Sequence, residues 1–216
     1  YPETMDTRTE IKLLKYVWDI KALVLGTFES WNTLLWNDIH TDTLDDINKN
    51  LQKNLRKMAA ETPVVKGWVV YRSIEDSIKE MSVILELVGS LHTDSMRPRH
   101  WTQVAKVCEV EKVDPSDPKF ALSDIVKCGV HKHKDEVEEV VELSMKELKI
   151  ERKVKDISDF WKKENMNYVP HAGSEMFLIK PGEETVEGLE AHQMELQTMM
   201  GMGKFVEYFK ADVTKW

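Results

Sequence analysis

The stretch YRSIEDSIKEMSVILELV, residues 71–88, decides the fold class. Its apolar residues Tyr71, Ile74, Ile78, Met81, Leu85 and Val88 recur at alternating steps of three and four, the spacing that lines one face of an α-helix in a bundle or coiled-coil seam. Just upstream, Leu44, Ile47, Leu51, Leu55 and Met58 repeat the pattern, opening near Thr43, whose hydroxyl stands at capping-box distance from Asp46. Pro63 and Gly67 break the chain between these two helices. A first helix is expected from Leu13, Val17, Ile20, Val24, Phe28, Trp31 and Leu35. At ~1.5 Å per residue it would run on the order of 40 Å, which favours an elongated molecule. Gly26 inside it costs about 1 kcal/mol relative to alanine and marks a place for a bend. Connections this short imply three antiparallel helices.

Pro98 suits the first turn of a helix that turns Trp101, Val104 and Cys108 inward. A loop holding Pro115 and Pro118 follows, then a short helix from about Ser123 to Gly129. A longer helix carries Val137, Val141, Met145 and Leu148, then Ile150, Val154, Ile157 and Trp161. The two-residue step from Leu148 to Ile150 shifts the stripe, so a kink, a rotation of the buried face or a helix break is expected there. Strand signals are confined to Asn167-Tyr168-Val169-Pro170 and Met176-Phe177-Leu178-Ile179, with Gly173 in the turn between them. Helical spacing resumes with Val186, Leu189, Gln193, Leu196 and Met200, stops at Gly201 and Gly203, and returns with Val206, Phe209, Val213 and Trp216. The reading is all-α: an elongated array of antiparallel helical bundles with one small β-hairpin. It divides the chain into a first bundle (residues 1–92), a second helical segment (93–165), the hairpin (166–182) and further helices (183–216).

Composition narrows the function classes. The 216 residues are 42% hydrophobic and 31% charged, with few glycines and prolines, as in a folded, helix-leaning protein. A net charge of −8 opposes nucleic-acid binding, and no run of about 18 apolar residues marks a membrane span. Two cysteines, Cys108 and Cys128, and the lack of a secretory leader suggest a reduced, intracellular setting. The chain begins without methionine at Tyr1 and ends at Trp216 on an apolar stripe, so both ends read as cuts in a longer polypeptide.

Motifs for chemistry are weak. Gly201-Met202-Gly203-Lys204-Phe205 lacks the upstream glycine spacing and the Ser or Thr of a phosphate-binding loop and reads as a break between helices. His131 and His133 with Cys108 and Cys128 lack the close ligand pairs of a structural zinc site. Acid pairs such as Asp135-Glu136 and Glu183-Glu184 sit on polar helix sides, where solvation and the helix dipole explain them. The seven tryptophans recur among other apolar residues at helical spacing and read as core rather than as a stacking platform. No catalytic, cofactor-binding or metal-binding residue is assigned.

Arg97-Pro98-Arg99-His100-Trp101 resembles the R-x-R-H-W-like signature of the dynein heavy chain linker. Leu122 to Val141, Lys146 to Trp161, Tyr168-Val169-Pro170 and the run His192 to Gln197 are similar to successive parts of the same region, its N-terminal half. Leu35-Trp36-Asn37-Asp38-Ile39 resembles axonemal members. The resemblance implies a mechanical arm that lies across the AAA+ ring of its own heavy chain and changes shape with nucleotide state to drive the power stroke. ATP and Mg2+ would act in the parent motor, with no cofactor here. Implied partners are that ring, the microtubule only through the rest of the motor, and other dynein subunits, in a cytoskeletal, ciliary or flagellar axoneme setting. It assigns structural motif roles to Arg97, Arg99, His100, Trp101, Trp161 and Gln193. The hairpin residues Tyr168, Val169, Phe177 and Leu178 would touch the ring. The competing reading is a non-motor helical scaffold of spectrin-like kind, which would continue into more bundles instead of ATPase loops.

Overall fold

The computed structural model describes residues 2–165, 168–173, 175 and 177–216, with side chains described from residue 7 onward. Among these residues it contains helices α1 (Pro2–Trp31), α2 (Thr41–Glu61), α3 (Val69–Leu91), α4 (Pro98–Val107), α5 (Leu122–Cys128), α6 (Lys134–Lys163), α7 (Glu183–Met200) and α8 (Lys210–Lys215). Strands β1 (Tyr168–Pro170) and β2 (Phe177–Ile179) form an antiparallel hairpin with Val169 opposite Leu178. Asn167 and Met176, the expected first residues of those strands, lie outside the described residues. The all-α class with one small hairpin therefore holds. The chain forms two compact units, Tyr1–Val141 and Glu142–Trp216, and α6 supplies residues to both.

In the first unit α3 packs against both α1 and α2. All six residues of its sequence stripe are buried, and Ile84 and Leu87 widen that face because two neighbouring helices must be covered. Asn48 is fully buried in α2 and donates through Nδ2 to the Ile78 carbonyl at 3.2 Å and to Ser82 Oγ at 2.8 Å, while its Oδ1 has no hydrogen-bond partner. A polar group at such a position ties the two helices to one register, since any slip would strand it.

Several boundaries differ from the sequence reading. Helix α1 stops at Trp31, not Leu35, and runs through Gly26 without interruption. Its last turn is drawn off by Ser30 Oγ donating to the Thr27 carbonyl at 2.6 Å and Thr33 Oγ1 to the Ser30 carbonyl at 2.8 Å. Beyond it, Trp36 N–H donates to the Phe120 carbonyl and Leu122 N–H to the Leu34 carbonyl, both at 2.9 Å, so residues 34–36 pair with the stretch before α5. Helix α2 starts at Thr41 after His40, with no side-chain cap, so Thr43 and Asp46 form no capping box. Ile47, expected inward, is exposed, and Asn48 takes its place.

Helix α6 is continuous across Leu148 and Ile150. Its buried face rotates instead: Val137, Val140 and Val141 belong to the first unit's core, Ser144 and Glu147 follow at steps of three, and Ile150 and Ile157 belong to the second unit's core, so that at about 100° per residue Ile150 stands on the opposite side of the helix from Val141. Met145 is exposed. Ser144 and Glu147 occupy the buried positions where the face turns, and neither is without a partner.

The second unit holds a smaller core of Ile150, Ile157, Met199, Val206, Phe209 and Val213. Here α7 buries Thr185 and Met199 and leaves the expected inward residues Val186, Leu189 and Met200 exposed, a rotation of about one position. Trp216 is exposed as well. Gly188 explains the rotation: a Cβ there would stand 2.8 Å from Phe160 Cζ, so the ring of α6 approaches α7 at the one residue without a side chain.

Candidate functional site

Two places gather the residues singled out by sequence, one in each unit. In the first, Arg97 caps α4 and His100 closes the cap: the Arg97 N–H donates to His100 Nδ1 at 3.0 Å, and the His100 N–H donates to the Arg97 carbonyl at 2.9 Å. With Nδ1 accepting, a neutral His100 carries its proton on Nε2. His100 is fully buried, and Pro98, which has no N–H to satisfy, takes the first helical turn. Arg97 and Arg99 are half-buried and both are engaged. Arg97, Pro98 and His100 thus build the start of α4, with His100 in the core.

Trp101 leads from that start into an aromatic cluster centred on Trp36, whose ring meets Trp101, His92 and Phe120 edge-on at centroid distances of 5.5, 5.2 and 5.6 Å. Such edge contacts contribute about 0.5–1.5 kcal/mol each beyond burial. Trp36 as this hub is not legible from periodicity, because it lies after a helix end in a short 3-10 turn (Trp36–Asp38). Beside the cluster opens a cavity of about 710 Å³, lined by Trp36, Trp101 and Met96 and by the polar loop of Lys112, Asp114 and Ser116. Lys112 Nζ donates to Asp114 Oδ2 at 2.7 Å, and the Ser116 N–H donates to Oδ1. These two contacts, the lysine foremost, hold the Asp114 carboxyl below the usual carboxylate range.

The cysteines are buried or half-buried and free. Burial first, then the neighbouring Cys128 and Glu136, pushes the Cys108 thiol up to about 11, so it stays protonated at neutral pH and is a poor nucleophile. Among the described residues no group of three or more His, Cys, Asp or Glu comes together as metal ligands would. Among the described residues no helix is long and apolar enough to cross a membrane.

The second place joins Trp161 and Gln193. Both line an apolar groove of about 580 Å³ with Ile157, Leu189, His192 and Trp216. Phe160, Trp161 and His192 pack edge to face, with centroids 4.9 to 6.0 Å apart, and His192 Nδ1 is buried without a hydrogen-bond partner. Lys153 Nζ donates to Glu195 Oε1 at 2.9 Å, and Thr185 Oγ1 donates to Glu164 Oε1 where the chain leaves α6 and enters α7.

Between those two anchored ends stands the hairpin. Tyr168, Val169, Phe177, Leu178 and Ile179 are all exposed, Phe177 at 67%, although strands alternate their side chains between two faces. Both faces are therefore apolar and uncovered. Glu164 and Thr185 escape a reading by stripe, because neither belongs to one; their only sequence signal is a position at each foot of the hairpin.

Comparison with known proteins gives one direction. A family model described as "Dynein heavy chain, N-terminal region 2" matches residues 4–216. The "Dynein beta chain, ciliary" of Tripneustes gratilla is 29% identical over 216 residues, covering 100% of this chain and 5% of the relative. Human "Dynein axonemal heavy chain 17" is likewise 29% identical, with 100% and 5% covered. The "Dynein alpha chain, flagellar outer arm" of Chlamydomonas reinhardtii is 28% identical over 211 residues, 98% of this chain and 5% of its own length. This chain thus spans about 5% of the length of these relatives.

Proposed function

The chain belongs to the dynein heavy chain N-terminal region 2 family, and on that premise we propose that it is part of the motor's linker, an arm that converts the ATPase cycle of the parent chain into displacement along a microtubule. The observation that carries this reading is the hairpin: an apolar tip, exposed on both faces, on feet held by the Glu164–Thr185 hydrogen bond. Such a tip has a large desolvation gain still to realise, about 1.5–3 kcal/mol for each large side chain it buries on contact. Its occupant is the AAA+ ring of the same heavy chain. The hairpin residues Tyr168, Val169, Phe177 and Leu178 touch the ring, and the packed helices carry the resulting motion because many side chains must move together.

In this reading the segment performs no catalytic step and binds no cofactor; ATP and Mg2+ act elsewhere in the parent. The sequence segments proposed as domains, residues 1–92, 93–165, 166–182 and 183–216, would act as successive parts of the arm. Loops such as 108–119 would absorb angular change between them. Relatives named ciliary and flagellar support placement in an axoneme. The test replaces Phe177 and Leu178 by serine in the parent motor. Microtubule gliding should slow while basal ATP turnover persists, because coupling and not chemistry is removed. Unchanged gliding at unchanged ATP turnover rejects the hairpin as the contact.

A further inference from the structure

Helix α1 carries more apolar surface than its own unit covers. Val17, Val24, Phe28 and Trp31 form the stripe buried in the first unit. Ile11, Leu14, Trp18 and Leu25 lie on a second face at steps of three, four and seven, and all are exposed, Trp18 at 52%. Tyr16 and Leu23 are exposed on yet another side. A surface helix normally keeps a single apolar stripe, so a second apolar face on α1 is surplus to its own unit. By contrast α2 exposes Ile47 and turns Leu44, Leu51, Leu55 and Met58 inward.

The spacing of the second face identifies the shape of what covers it. Steps of three and four make a helix-to-helix seam, and Lys21 fills the position missing from the series. Its ammonium stands 5.0 Å from the Trp18 ring centroid, so its stem lies along apolar surface and its charge sits at the seam edge. Charge narrows the choice further. Over residues 7–25 four cations, Arg8, Lys12, Lys15 and Lys21, stand against two acids, Glu10 and Asp19, in a chain of net charge −8. Pairing of this seam, residues 7–25, with the same seam of a second copy would bring like excess charge together, whereas an acidic-edged helix would complement it. The family relatives are about twenty times longer than this chain. A helix tethered in the same polypeptide meets α1 at an effective concentration of roughly millimolar order, well above that of a free partner.

We propose that the Ile11–Leu14–Trp18–Leu25 face of α1 is a docking seam for an amphipathic, acidic-edged helix of the same heavy chain, from outside these 216 residues. It requires family membership but not the lever function or the hairpin contact. The test is made on the full-length heavy chain with the photo-crosslinking residue p-benzoylphenylalanine in place of Trp18 and, separately, of Leu25. The control carries it in place of the exposed Lys53 on α2. Mixing isotopically light and heavy chains separates crosslinks within a chain from those between chains. Expected from the tether is an intrachain adduct, about tenfold above the Lys53 control, on a segment with apolar residues at steps of three and four and acidic flanks. Leu14→Asp should reduce that adduct. Adducts to a second copy, to another polypeptide or to lipid, or yields equal to the Lys53 control at both seam positions, would overturn the proposal.

Discussion

The two units divide their apolar residues between core and surface in different proportions. The first encloses a continuous core running from Val17 through Leu91 and Leu122 to Val141, pinned by the Trp36 cluster. Among its described residues the second buries six apolar side chains and leaves more than that at its surface, from Tyr168 to Trp216. At about 25 cal/mol per Å² of apolar surface buried, the first has much the larger driving force within itself, and the second draws less from its own residues. An exposed apolar inventory of that kind marks surface meant for contact. The difference teaches that stability and docking draw on the same residue types, and only placement separates them.

The sharpest way to break this comparison is at Trp36. Trp36→Ala should destabilise the first unit by about 3–5 kcal/mol, as expected for an aromatic at the centre of a packed cluster. Denaturant unfolding followed by circular dichroism reads it, and a loss under 1 kcal/mol would remove the cluster as the pin. In the second unit the corresponding weak point is a gap and not a ring. Gly188→Ala should cost about 1–3 kcal/mol, because Phe160 is held between Trp161 and His192 and cannot yield freely. A neutral result would mean that α7 can slide on α6.

A smaller effect, of opposite sign, is expected at the end of α4. The Val110 N–H donates to the Ala105 carbonyl and the Glu109 N–H to the Lys106 carbonyl, a Schellman end whose left-handed residue is Glu109, at φ 54°. Glu109→Gly should raise stability by about 0.5–1 kcal/mol by relieving that conformation, less the entropy of a freer unfolded chain. A melting temperature that falls would refute it.

Alkaline pH sharpens the comparison least but tests burial directly. The folded Cys108 thiol titrates above the unfolded one, so its contribution is intact below the ordinary value of 9.0 and is lost as pH rises toward about 11. Stability should decline across that window, and less so in Cys108→Ala. At pH 8 the native thiol should resist alkylation, and rapid labelling would contradict its burial.

How far the sequence could be read follows the same division. In α3 every stripe residue is buried where spacing put it, because polar residues flank the stripe and leave one face to choose. In α7 apolar residues occupy more than one face, and spacing alone selected Val186, Leu189 and Met200, which are exposed. In α6 the two-residue step from Leu148 to Ile150 marks a turn of the buried face along an unbroken helix, while the buried Ser144 and Glu147 at that turn are polar and escape an apolar stripe. The motif residues Trp161 and Gln193 could be named from resemblance, but their meeting in one groove depends on how α6 packs on α7.

The sequence by itself determined the helical class, the hairpin, the order of the helices and the main face of α3, because periodicity and turn residues act locally. Tertiary structure decided which face α7 buries, how Trp36 joins the ends of separate segments, and which apolar residues of α1 and the hairpin remain uncovered. Those outcomes depend on close approach at Gly188, on hydrogen bonds such as that between Glu164 and Thr185, and on the finite area of neighbouring helices. None of these is encoded in the spacing of one helix alone.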